Sequence, residues 1–208
     1  MEVIIPCLSL AVEFLKVFIP LFVVIDPFSS MVLFMSLTSG MDAKAKKAIT
    51  ADAVVYGGII LLFFALVGNF IILFFGISIP ALEIAGGLIL LIMGIEMVRQ
   101  GDKPPSSGGR STVSDVGIVP LATPLLAGPG AISLVIILME GSIATKIMTL
   151  VSIVLLFLIV YIFFFFSSKI DRLFGDKVMK VITRIFGVLV AGFAVQYFLN
   201  ALSLLGLK

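Results

Sequence analysis

The sequence predicts an all-α membrane protein: six transmembrane helices forming two inverted three-helix repeats, helices 1 and 4 broken at the midplane, and both termini outside. Three observations carry that prediction. Of 208 residues, 61% are hydrophobic and only 12% charged, against about half and about a quarter in a soluble domain. Apolar runs recur between short polar breaks, each close to the ~20 residues that an α-helix needs to cross ~30 Å of hydrocarbon. Eleven of the fourteen Lys and Arg residues fall on loops of one side. The runs are continuous rather than alternating, which argues against a β-barrel.

Helices are expected at residues 16–38, 52–75, 80–98, 116–139, 147–167 and 181–205. Helix 1 contains Asp26-Pro27. Helix 2 opens at Asp52, read as an interface residue or a cap. Helix 3 carries Glu83 near its start and Glu96 deeper in. Helix 4 is interrupted by Gly128-Pro129-Gly130, and helix 5 ends in the aromatic block Phe163 to Phe166, read as lipid-facing or packing material. Helix 6 carries Arg184 near its start and Gln196 deeper in. Glu83 and Arg184 suit either a structural ion pair or a role in transport, and Glu96 and Gln196 are placed to face a cavity. Asn69 reads as a bridge between helices. Gly57, Gly58, Gly86, Gly87, Gly94, Gly187 and Gly192 let helices approach closely.

Loop charges set the expected orientation. The loop after helix 1 carries Lys44, Lys46 and Lys47, and the next loop on that side carries Arg99, Lys103 and Arg110. The loop between helices 5 and 6 carries Lys169, Arg172, Lys177 and Lys180, with Arg184 at its edge. The other side has only Lys16, Lys146 and Lys208. By the positive-inside rule both termini face outward. Glu2 and Glu13 stand where a cleavable signal would have a basic region. The polar stretch 100–115, with Pro104-Pro105-Ser106-Ser107-Gly108-Gly109, reads as a cytoplasmic linker between one three-helix unit, 1–99, and another, 116–208. An odd number of spans per half inserts the second half upside down.

The halves are similar in sequence. Ile25-Asp26-Pro27-Phe28-Ser29-Ser30 aligns with Ala127-Gly128-Pro129-Gly130-Ala131-Ile132, bringing residues 31–37 onto 133–139. Glu83-Ile84-Ala85-Gly86-Gly87 aligns with Arg184-Ile185-Phe186-Gly187-Val188. Inverted repeats of this kind are a mark of secondary transporters, whose site lies near the midplane between discontinuous helices. Ten residues separate Lys16 from Asp26, or ~15 Å of helix, about half the membrane.

Each break has definite chemistry. A proline removes a backbone donor and pushes away the carbonyl four residues earlier. The half-helix that restarts presents free N–H groups and the positive end of its dipole, and the half-helix that stops presents free carbonyls. A carboxylate and an ammonium group, or Na⁺, would both find partners, which suits a small zwitterion. Asp26 would accept from the substrate ammonium, ligate Na⁺ or carry a coupling proton, or else cap the half-helix through the N–H of Ser29 or Ser30. The expected substrate site comprises Asp26, Pro27, Phe28, Ser29, Ser30, Thr123, Gly128, Pro129, Gly130, Ala131 and Ser133, with Asp26 as the coupling-ion residue. Hydroxyls in helices also bond back to carbonyls, so those of Ser29, Ser30, Thr123 and Ser133 have a structural reading too.

Counts exclude much else. The chain has no His and one Cys, Cys7, which removes His-ligated haem and zinc, a disulfide framework and a Ser-His-Asp triad. No enzymatic activity, resident metal or cofactor is expected beyond a coupling ion. A net charge of +2 without a basic stripe gives no reason to expect nucleic acid. The expected partners are a small neutral amino acid and membrane lipid.

At the two breaks the sequence resembles the MarC family of prokaryotic integral membrane proteins. The similarity rests on residues 25–30, on Phe34-Met35-Ser36-Leu37-Thr38, on Pro120-Leu121-Ala122-Thr123-Pro124-Leu125-Leu126-Ala127-Gly128-Pro129-Gly130-Ala131, and on Phe193-Ala194-Val195-Gln196-Tyr197-Phe198. The resemblance implies, for one branch of that family, transport of small neutral amino acids such as glycine and alanine coupled to Na⁺ or H⁺. It also implies a distant relation to transporters of the lysine-exporter type and a place in the cytoplasmic membrane. Ser29-Ser30 departs from the Gly-Asn or similar pair common there, leaving the part of these hydroxyls in substrate choice open. The competing expectations are an exporter of amino acids or metabolites with the same architecture, and a non-transporting membrane scaffold.

Overall fold

A computed structural model describes residues 4–99 and 117–206, so the linker expected at 100–115 lies outside the described residues. The chain is helical, with no strand among the described residues. Its elements are α1 (Ile4–Ile25), α2 (Pro27–Leu37), α3 (Ala43–Phe74), α4 (Ile79–Arg99), α5 (Gly117–Leu126), α6 (Pro129–Leu138), α7 (Ile143–Phe165) and α8 (Ser167–Leu204). Among the described residues, five stretches are long and apolar enough to cross a membrane: Leu10–Leu37, Ala43–Phe74, Ile79–Arg99, Ile143–Phe165 and Lys177–Leu204. The fourth expected helix is instead two short pieces, α5 and the ten-residue α6.

Capping explains where the observed boundaries depart from the expected ones. Helix 2 does not open at Asp52. It starts nine residues earlier, where the Asp42 side chain accepts the Ala45 N–H at 2.8 Å. Asp52 is an interior, half-buried residue of α3. The lysine-rich stretch was read as loop because it is polar, yet Lys and Ala favour helix once a cap starts it. Ser142 opens α7 in the same way, accepting from the Thr145 N–H at 3.2 Å, and Ser78 accepts from Ala81 at the start of α4. Within α8, Gly175 has φ 66° and ψ 164°, so the helix is kinked ahead of its membrane-spanning part.

α5 is wound as a π-helix, and its end is marked by the bond from the Ala127 N–H to the Ala122 carbonyl at 2.9 Å, five residues back. Pro120 and Pro124 supply the cause, since neither has a backbone N–H to donate to the regular helical pattern.

α4 and α8 form the most extensive helix pair. A Cβ at Gly94 would stand 2.7 Å from the Gly187 carbonyl oxygen, and one at Gly87 would stand 3.0 Å from that of Ala194. These contacts make the pair antiparallel. They also place Glu83 and Arg184 at opposite ends of the crossing, too far apart for the ion pair considered between them. Gly192, expected at a contact, has nothing near it. Elsewhere α3 packs on α5, α6 and α7; α7 packs on α1 and α2; α6 packs on α4 and α1; and α2 packs on α8 and α5. Phe34 and Phe164 stack at 4.5 Å in the core, while Phe165 and Phe166 are exposed.

Candidate functional site: two broken helices

The first break is set by one residue. α1 ends at Ile25, and Asp26 takes φ 44°, ψ 75°, the left-handed region, before Pro27 starts α2. Among the described residues it is the one non-glycine with positive φ. Such a conformation costs ~1–3 kcal/mol and persists only where the surroundings hold it. Asp tolerates it better than most residues because its short side chain bonds locally. Here Oδ1 accepts the Ser29 N–H at 3.2 Å, and Pro27 takes the first helical position, where a missing N–H costs nothing. The capping reading of Asp26 is therefore realised. It uses one oxygen only: Asp26 is 5% exposed and its Oδ2 is buried without a hydrogen-bond partner.

Around this carboxylate the two serines divide. Ser30 Oγ donates to the Ile25 carbonyl at 3.3 Å and so takes up an acceptor freed by the break. Ser29 Oγ donates across to Thr183 Oγ1 on α8 at 3.2 Å. Phe28 packs against Phe163 at 4.9 Å and Phe186 at 5.4 Å, and Phe22 closes the group. Thr183 and this aromatic wall had no individual signal in the sequence; only the third dimension brings α7 and α8 to the break.

The second break is built differently. Gly128 is extended, φ −78° and ψ 166°, and Pro129 starts α6 without a side-chain cap. The Ile132 N–H bonds to the Gly128 carbonyl at 2.9 Å. Gly130 and Ala131 bring the remaining first-turn N–H groups, both in buried positions. Ser133 is buried and lies against Gly86 of α4, where an added Cβ would meet the Ser133 Cβ at 2.7 Å. A Cβ at Gly130 would collide with the end of the Leu90 side chain. Thr123 is half-buried in the π-helical turn.

The breaks meet through α1 against α6 and α2 against α5, and Ile25, Leu126, Ala127 and Ala131 belong to one buried apolar cluster. Two expectations are corrected. Glu96 and Gln196 do not face a cavity: both are exposed, and Gln196 donates to Asn200 Oδ1 on its own helix at 2.8 Å. Each lies on the face opposite the α4–α8 contact, which periodicity alone could not settle because both helices are apolar nearly all round.

Comparison with known proteins agrees with a membrane protein. The profile of the MarC family of integral membrane proteins matches residues 11–205. A UPF0056 membrane protein of Methanocaldococcus jannaschii is 32% identical over 196 residues, covering 91% of this chain and 95% of that protein. One from Aquifex aeolicus is 31% identical, covering 92% and 93%. The UPF0056 membrane protein YvbG of Bacillus subtilis is 31% identical, covering 86% and 89%. No solved structure matches the chain. With its apolar helices and a profile match over nearly its whole length, the chain belongs to the MarC family of integral membrane proteins.

Proposed function

We propose that this protein is a secondary active transporter of small neutral amino acids, glycine and alanine among them, driven by Na⁺ or H⁺ in the cytoplasmic membrane of a prokaryote. One observation carries the reading. Asp26 is a buried carboxylate with an unpartnered oxygen, held in the left-handed region where a membrane helix breaks. Ionisable groups in membrane spans are costly and concentrate on transport pathways.

The second break supplies what the first lacks. α6 starts without a side-chain cap, so its first-turn N–H groups and dipole favour an anion. Asp26 takes the substrate ammonium, and the turn at Gly130 and Ala131 takes the carboxylate. Ser29 and Ser133 flank the two ends. Phe22, Phe28, Phe163 and Phe186 crowd the first break, which favours a small side chain over a large one.

Six crossings, with α5 and α6 in series as the fourth, form two inverted repeats with both termini outside. Helix packing supports this. Exchanging α1–α4 with α5–α8 turns α3–α5 into α7–α1, α3–α6 into α7–α2, α4–α6 into α8–α2 and α1–α6 into α5–α2, and each of these pairs is a contact. At residue level, Gly87 against Ala194 and Gly94 against Gly187 exchange under a shift of 100 positions. Alternating access then rocks one repeat against the other around the paired breaks.

Radiolabelled glycine uptake into proteoliposomes under an imposed Na⁺ or H⁺ gradient tests the reading. Gradient-driven accumulation that unlabelled alanine blocks is the expected result. Correctly inserted protein that moves no amino acid in either direction contradicts it.

A further inference from the structure

A second acidic position lies on α4, beside the seat of the second break. Glu83 is on α4, about one turn from the helix start at Ile79, and is 4% exposed. Its Oε2 is buried without a hydrogen-bond partner, as is the hydroxyl of Tyr197 on α8. Tyr197 lies against α4 one turn along from Glu83, at Gly86 and Gly87. Gly86 also seats Ser133 of α6. Three oxygen-bearing side chains from three helices therefore converge around one stretch of α4.

Beside them is an open depression of about 560 Å³ at the end of the bundle where α4 starts and α6 and α8 end. Glu83 and Glu140 line it, with Pro80, Ile137 and Leu204 as apolar wall. The titratable groups facing Glu83 are Tyr197 from α8 and Glu140 from the turn after α6. α6 itself has none, and the charged residues of α8 stop at Arg184, beyond the Gly94–Gly187 contact. A buried carboxylate in such surroundings is neutralised by a proton, or is paired with or coordinated to a cation. Carboxylate and hydroxyl oxygens are the ligands that hard cations prefer.

We propose that Glu83, assisted by Tyr197 and Ser133, holds a monovalent cation reached through this depression, so that Asp26 is left to the substrate ammonium. The inference rests on the transporter reading for its purpose, but not for its test. Na⁺ and H⁺ share the chemistry of neutralising one carboxylate, and two arms separate them.

The experiment measures Tm of the purified full-length protein without any amino acid, so it stands or falls apart from glycine transport. One arm titrates NaCl against choline chloride at fixed pH, and the other lowers pH with no Na⁺ present. Saturating ligand should raise the wild-type Tm by about 5 °C. A rise with NaCl that Glu83→Gln loses identifies Na⁺, and a rise with acid alone that Glu83→Gln loses identifies the proton. Glu96→Gln, which removes an exposed carboxylate from the same helix, should keep the wild-type rise, and Tyr197→Phe should need several-fold more cation for half of it. Tyr197→Phe also serves should Glu83→Gln fail to fold. A wild type that responds to neither arm, or equal responses in wild type, Glu83→Gln and Tyr197→Phe, would overturn the proposal.

Discussion

The two helix breaks share a plan and differ in one residue. In each, a proline restarts a helix, and the residue before it decides what the restart offers. At the first, Asp26 turns through the left-handed region and spends one oxygen on the Ser29 N–H, leaving the other unpartnered. At the second, Gly128 stays extended and caps nothing. One break is thus acidic and its helix start partly satisfied, while the other is neutral and its helix start open. Their seating differs as well. The first half-helix leans on aromatic rings from α1, α7 and α8, and the second fits where α4 has no side chain at Gly86. On the proposed repeat, the two breaks are equivalent frames, and single-residue departures make them complementary rather than alike.

Removing the charge should have the largest effect. Asp26→Asn keeps an acceptor for the Ser29 N–H but loses the carboxylate. A charge-assisted hydrogen bond contributes ~1.5–3 kcal/mol, so glycine uptake should fall about 100-fold at 1.4 kcal/mol per tenfold, while insertion is kept. Uptake at the wild-type rate would remove Asp26 from the mechanism.

Next come the two kinds of seating. Phe28→Ala takes a ring from the first break and should cost about 2–3 kcal/mol, read as a Tm lower by roughly 4–12 °C. Gly86→Val presses a Cβ on Ser133 and should cost about 1–3 kcal/mol by overpacking, with glycine KM raised because α6 shifts. If Gly86→Val leaves both Tm and KM unchanged, the second break is not held by this contact. The smallest effect belongs to the bond from Ser29 to Thr183. A double-mutant cycle with Ser29→Ala and Thr183→Val should give a coupling of about 0.6 kcal/mol, typical of hydrogen bonds between membrane helices. A value near zero would make the contact incidental.

Much of this frame was legible in the chain. Apolar run length marked five of the six expected spans, and proline after Asp26 and Gly128 marked both breaks, because proline's effect on a helix is local. The Asp26 cap was readable for the same reason. What failed depended on context. The start of α3 was missed because a polar, lysine-rich segment can be helical outside the apolar core once Asp42 caps it. The π-helical winding of α5 follows from two prolines four residues apart, but its width is a property of the packed chain. Glu96 and Gln196 were placed inward, whereas the glycines fix the α4–α8 contact face and leave both outside. Glu83 carried no more signal than Glu96, and only packing shows that one is buried and the other exposed.

On the proposed reading, the unequal breaks together recognise both charges of one small molecule. Equilibrium binding of radiolabelled glycine to the purified protein, challenged by unlabelled compounds, tests it most directly. Alanine should displace the label, while acetate and methylamine, each with one of the two charges, should fail even at 100-fold higher concentration. Displacement by either single-charge compound as readily as by alanine would contradict a site that needs both breaks.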